Sequence, residues 1–156
     1  MTLDLSFKQG EHICCHEEDG FPDRSYAVDV WLLLQHLYKT GRTTGGKIPI
    51  NKFDVDKMMT EKCWADKRPE SADDTSGMFS PQQLLNDPTI SAIHTGKLEQ
   101  CDIRYPVLIL EHSDGSFGLV DGMHRLVKCV QQSLTDILAI KLTREDLEAA
   151  EWNGES

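Results

Sequence analysis

The stretch that most limits what this chain can fold into is Phe117-Gly118-Leu119-Val120-Asp121-Gly122-Met123-His124-Arg125. A short apolar run stops at Asp-Gly, and a helical pattern begins at once with His-Arg in its first turn. Glycine has no side chain to clash, so Gly122 allows a sharp turn and a close backbone approach to a ligand. The first amides of a helix lack internal partners and attract anions. Cations oppose the helix dipole at that end, so a helix start built only for stability would carry acids instead of His124 and Arg125. The combination reads as a phosphate or carboxylate site; the plainer reading is a solvated helix start with a chance His-Arg pair.

The flanking segments are the most regular part of the chain. Tyr105–Glu111 reads as a strand, 112–116 as its turn and Phe117–Val120 as the returning strand, with continuous apolar character that predicts burial on both faces. A helix from Gly122 to about Gln132 follows, with Leu126, Val127 and Val130 facing inward. Thr135–Leu142 is a closing strand, and Thr143 opens a last helix as a capping box with Asp146.

Upstream, Leu3, Leu5 and Phe7 alternate with polar residues as in a short strand, and 10–20 holds a second strand or a loop. His12, Cys14, Cys15 and His16 invite a metal reading, but their spacing fits no zinc pattern. A helix starting after Asp23 or Ser25 carries Ala27, Val28, Val30, Trp31, Leu33, Leu34, Leu37 and Tyr38 on a broad apolar face and stops at Gly41. His36 in it reads as a surface or packed residue. Lys47–Ile50 is a strand kept near a sheet edge by Pro49. Asp54 or Asp56 caps a helix from about Val55 to Trp64, on which Lys57 and Thr60 share a face. Residues 65–80 form a polar surface loop. Ser80-Pro81 and Asp87-Pro88 each begin a helix, the second carrying Ile90 and Ile93 and ending near Gly96. Strands and helices mixed with at least one antiparallel hairpin make the fold class α+β.

The formal net charge of −10 over 156 residues, with no basic stripe, argues against DNA, whose binders need a positive face. No apolar run approaches the ~20 residues of a membrane span. No secretory signal is visible, and five scattered cysteines suit reduced thiols, so a cytoplasmic location is expected.

The order of these pieces resembles the ParB/sulfiredoxin-like superfamily: an Ile48-Pro49-Ile50 strand, a helix, an intervening segment, a hairpin ending in Asp121-Gly122-Met123-His124-Arg125, a helix and a closing strand. The likeness covers about residues 47–150 and is specific at 121–125. It implies a mixed sheet with packed helices over 47–156, and an N-terminal helical extension, 1–46, packed on that core. It also implies nucleotide phosphates, of ATP or CTP, bound by Gly122, Met123, His124 and Arg125, with Lys57 and Thr60 as companions on the first core helix. Met123 stands where sulfiredoxins carry their catalytic Cys, and a thioether cannot be that nucleophile, so sulfiredoxin activity is not expected. Cys129 lies about two helical turns away and reads as packed. Partition proteins of the superfamily carry DNA-binding and dimerisation segments beyond the motif, for which some thirty residues leave little room.

The resemblance therefore points to a phosphotransferase or nucleotidase acting on a small molecule. His124, Arg125 and Lys57 would offset phosphate charge, Asp121 or Glu111 would hold Mg²⁺ or accept a proton, and the candidate catalytic residues are Asp121, His124 and Glu111. Asp121 is equally placed to cap the helix, and Lys57 and Thr60 equally suit a solvated face. The alternatives are a non-catalytic module for a ligand or protein partner and, least favoured, a ParB-like nuclease.

Overall fold

The computed structural model describes residues 13–16, 26–66, 76–111 and 115–151. The expected strand at Leu3–Phe7, His12 and the tip of the hairpin turn at 112–114 lie outside them. So does most of the polar loop expected over 65–80. The elements are β1 (Ile13–His16), β2 (Tyr26–Asp29), α1 (Val30–Lys39), β3 (Gly46–Pro49), α2 (Val55–Thr60), β4 (Trp64–Ala65), β5 (Met78–Phe79), α3 (Pro81–Asn86), α4 (Ala92–Gln100), β6 (Val107–Glu111), β7 (Phe117–Asp121), α5 (Met123–Gln131), β8 (Asp136–Lys141) and α6 (Arg144–Ala149), with single 3-10 turns at Ile50–Lys52 and Pro88–Ile90.

The fold is α+β. Its main sheet is mixed, in the order β3-β8-β6-β7; β6 runs parallel to β8, and the other pairs are antiparallel. Pro49 lies on β3, an edge strand, where a missing N–H costs no ladder bond. Alternation along the strands divides the core between the two faces of the sheet. Leu108, Leu110, Val120 and Ile140 meet Val30, Leu33, Leu34 and Leu37 of α1 and Leu147 of α6. Val107, Ile109, Ile137 and Ala139 meet Leu126 and Cys129 of α5 on the other face. Burying four such side chains of α1 contributes about 2 kcal/mol each before conformational entropy is counted. A third cluster, with Met59, Trp64, Phe79, Leu84, Leu98 and Val127, fills the space between α2, α3, α4 and α5.

Polar bonds tie α1 and the turn after it to the start of α6. Asp146 is 2% exposed, completes a capping box with Thr143 and accepts from Arg42 Nη1 at 2.5 Å. It also contacts His36 Nε2 at 3.0 Å, while Arg42 Nη2 donates to the Lys141 carbonyl at 2.6 Å. Burial pushes the Asp146 carboxyl up, but the Thr143 amide and the Arg42 guanidinium outweigh it and hold the group below the usual carboxylate value.

Ala65 and Met78–Phe79, expected within a loop, pair as strands β4 and β5, and three helix boundaries differ from the sequence expectation, each for a local reason. The first helix begins at Val30, because Tyr26–Asp29 pairs with β1 and the Asp29 side chain, not Asp23 or Ser25, accepts from the Trp31 amide. Asp54 caps α2, but the helix ends at Thr60, where Glu61 is extended and Trp64 goes on to pair with Phe79. Asp87-Pro88 makes only a 3-10 turn; Ser91 caps a separate helix, α4, which runs through Gly96 to Gln100 and leaves Ile93 54% exposed.

Candidate functional site

The α5 start stands between the third cluster and the end of β7. Gly122 is its N-cap, at φ 109° and ψ 27°, the left-handed region that side chains disfavour. A Cβ there would lie 2.5 Å from Val107 Cγ1. The close approach that requires glycine is thus made to β6, which seats the helix start against the sheet. Asp121 is not the cap: it ends β7, and its carboxylate accepts from Arg125 Nη2 at 3.1 Å. Both side chains are mostly buried, Arg125 at 12% and Asp121 at 21% exposure, so solvent and salt screen this i,i+4 pair less than a surface one.

His124 enters a cluster that the sequence did not reveal. Its Nε2 lies 2.9 Å from Nδ1 of His94 on α4, with ring centroids 5.2 Å apart and planes 10° apart. That spacing puts the two imidazoles edge to edge in nearly one plane. The Trp64 indole covers both, 4.6 Å from His124 at 6° and 5.1 Å from His94 at 15°. Phe79 closes the His94 side edge-on at 5.5 Å.

The cluster is held from behind. His94 Nε2 bonds the Ala65 carbonyl at 3.0 Å, next to Trp64 on β4. The Ser91 hydroxyl accepts from the His94 amide at 3.0 Å and donates to the Asp66 carboxylate. The short β4–β5 ribbon and the α4 cap therefore fix His94, and His94 fixes His124. A helix from Val55 through Trp64 hid the ribbon, and a helix ending near Gly96 hid the cap. A Ser-x-x-His cap spacing at 91–94 was the available signal.

The other sequence candidates lie on separate elements, α2 and β6. Val55, Met58 and Met59 of α2 turn inward to the cluster that also takes Met123, whereas Lys57 and Thr60 are exposed. The Thr60 hydroxyl donates back to the Asp56 carbonyl at 2.7 Å. Glu111 pairs with Phe117 in the hairpin while Asp121 pairs with Leu108, three residues along β6, or roughly 10 Å at the usual rise. Glu111 accepts instead from Lys141 Nζ at 3.3 Å. Met123 helps line the apolar cluster, and Cys129 is 1% exposed, with its thiol pushed up by burial, so neither supplies a nucleophile.

Asp121 and Glu111 do not converge, and no group of three or more His, Cys, Asp or Glu suited to a metal ion occurs among the described residues. These residues do not fit a protein-built Mg²⁺ site. No helix among the described residues is long and apolar enough to cross a membrane. Comparisons with protein-family models, with curated proteins and with solved structures return no match.

Proposed function

We propose that the α5 start binds the phosphates of a nucleotide, ATP or CTP, in a ParB/sulfiredoxin-like manner, and that the protein is a phosphotransferase or nucleotidase acting on a small molecule. The observation that carries this reading is the first turn of α5, where an N-cap glycine precedes His124 and Arg125 and the imidazole is held in place by His94. Phosphoryl transfer needs positioning and charge stabilisation more than covalent help. Amides at a helix start, a guanidinium and an oriented imidazole supply both. Arg125 would exchange part of its bond to Asp121 for phosphate oxygens, which bind a guanidinium in the same forked geometry.

Calorimetry with ATP, CTP and inorganic pyrophosphate, with Arg125→Ala as control, tests the reading. Binding in the micromolar to millimolar range that weakens at least tenfold in the variant supports it. Failure of all three ligands to bind at millimolar concentration sinks it.

A second reading, a binding module without turnover, is favoured by one feature. The two carboxylates that could serve as base or metal ligand, Asp121 and Glu111, are both held in ion pairs. Nucleotide binding with no product over hours would select this reading.

A further inference from the structure

We infer that a cavity between α3, α4 and α5 is a binding site for a small uncharged molecule that joins an apolar body to one amide-like group. This site is distinct from the α5 start and does not depend on nucleotide binding there.

The cavity holds about 340 Å³ and comes from the way the chain turns. Helix α3 stops at Asn86, and the Pro88–Ile90 turn carries the chain on before Ser91 caps α4. The gap left between the two helices opens over the second half of α5, at Lys128 and Gln131. Leu84 and Leu98, 1% and 6% exposed, form its floor, and Leu85 and Pro88 add an apolar wall. The Thr95 hydroxyl donates to the Pro88 carbonyl at 2.9 Å and pins α4 to the turn. Small molecules typically occupy mostly apolar cavities of roughly 300–1,000 Å³ that carry a few placed polar groups.

Lys128, Glu99 and Gln131 supply those groups. Lys128 Nζ donates to the Glu99 carbonyl at 3.0 Å and to the Cys101 carbonyl at 2.9 Å, which fixes the ammonium at the end of α4. An ammonium has three N–H groups, so one donor remains. The Glu99 carboxylate and the Gln131 amide form no hydrogen bond or ion pair among the described residues. The rim therefore offers a positive donor, a negative acceptor and a neutral group that does both. A carboxylate ligand would gain from Lys128 but be repelled by Glu99, and an ammonium ligand would meet the reverse. An amide presents an oxygen to Lys128 and N–H groups to Glu99 or Gln131, with no net charge for either ion to repel. The rim thus selects it over both ions.

Methyl-selective NMR of the full chain, titrated with benzamide, tests this. The expected result is saturable movement of the Leu84, Leu85 and Leu98 methyl signals. The dissociation constant should be on the order of 1 mM, which a ligand of about nine heavy atoms can reach. Benzoate and benzylammonium should bind at least about fivefold more weakly, since each meets one like charge. Leu85→Trp fills the cavity from its half-buried wall and should abolish the movement. Gln131→Leu, at an exposed position, should weaken benzamide about threefold to fivefold, the worth of one modest hydrogen bond. Methyl signals that stay still, or move without saturating, overturn the inference. Benzoate or benzylammonium binding as tightly as benzamide overturns it too, as does full benzamide affinity in a folded Leu85→Trp chain. Should Leu85→Trp fail to fold, the two ions and Gln131→Leu decide alone, and unchanged affinity in Gln131→Leu counts against amide recognition.

Discussion

Gly122 and Val107 are packed so closely that one added methyl at position 122 would lie 2.5 Å from the valine Cγ1. The glycine also sits at φ 109°, so an alanine there meets both a backbone and a packing penalty. Gly122→Ala should destabilise the fold by about 2–4 kcal/mol, combining left-handed strain with overpacking. Chemical denaturation measures it. A loss under about 1 kcal/mol would show that the helix start can shift away from β6.

Gly96 is the opposite case. It lies inside α4 with no atom within 4 Å of where a Cβ would go. Gly96→Ala should stabilise the protein by about 0.5–1 kcal/mol, the helix propensity difference. A higher midpoint in the same denaturation series is the expected result.

Asp146 sets an acid limit on stability. Its folded value is lowered, so its contribution is fully present above the unfolded value of 3.8 and is lost as pH falls through the lower folded value. Asp146→Ala removes the buried acceptor shared by Arg42, His36 and the Thr143 cap and should cost about 1–3 kcal/mol at neutral pH. In the variant, the part of the stability decline that lies below pH 3.8 should become shallower. Denaturation midpoints from pH 7 down to about 2.5 follow both effects; a parallel profile would assign the acid sensitivity to other carboxylates.

Asp121 competes with any anion for Arg125. Asp121→Asn keeps the shape while removing the charge, and pyrophosphate affinity should rise about tenfold, near the 1.4 kcal/mol worth of a partly buried charge contact. Reduced affinity would instead mean that Asp121 orients the guanidinium for the ligand.

The sequence disclosed elements whose ends carry their own chemistry. Ser80-Pro81 with Gln83 forms a full capping box, and Thr143 with Asp146 forms another. The β6–β7 hairpin and α5 were equally legible, because a long apolar run and an Asp-Gly stop leave few alternatives. Trp64 and His94 were not legible. A two-residue strand has no periodicity of its own, and Trp64 fits the end of the α2 pattern until its pairing with Phe79 is known. His94 lies between exposed Ile93 and half-buried Thr95 and Gly96, where no apolar face announces burial. Lys57 and Thr60 share a face by spacing, but spacing says nothing about which side of α2 the core takes; Val55, Met58 and Met59 decide that.

The indole over the two imidazoles gives the protein an optical reporter. Imidazole in van der Waals contact quenches tryptophan emission, and the charged ring quenches more strongly than the neutral one. Of the chain's three tryptophans, Trp64 alone among the described residues lies against histidine rings. With Trp31 and Trp152 replaced by Phe, its emission intensity becomes a label-free gauge of the charge carried by the His94–His124 pair. Ligand arrival and proton movement could then be followed in real time by stopped-flow fluorescence, without attaching a dye to the protein.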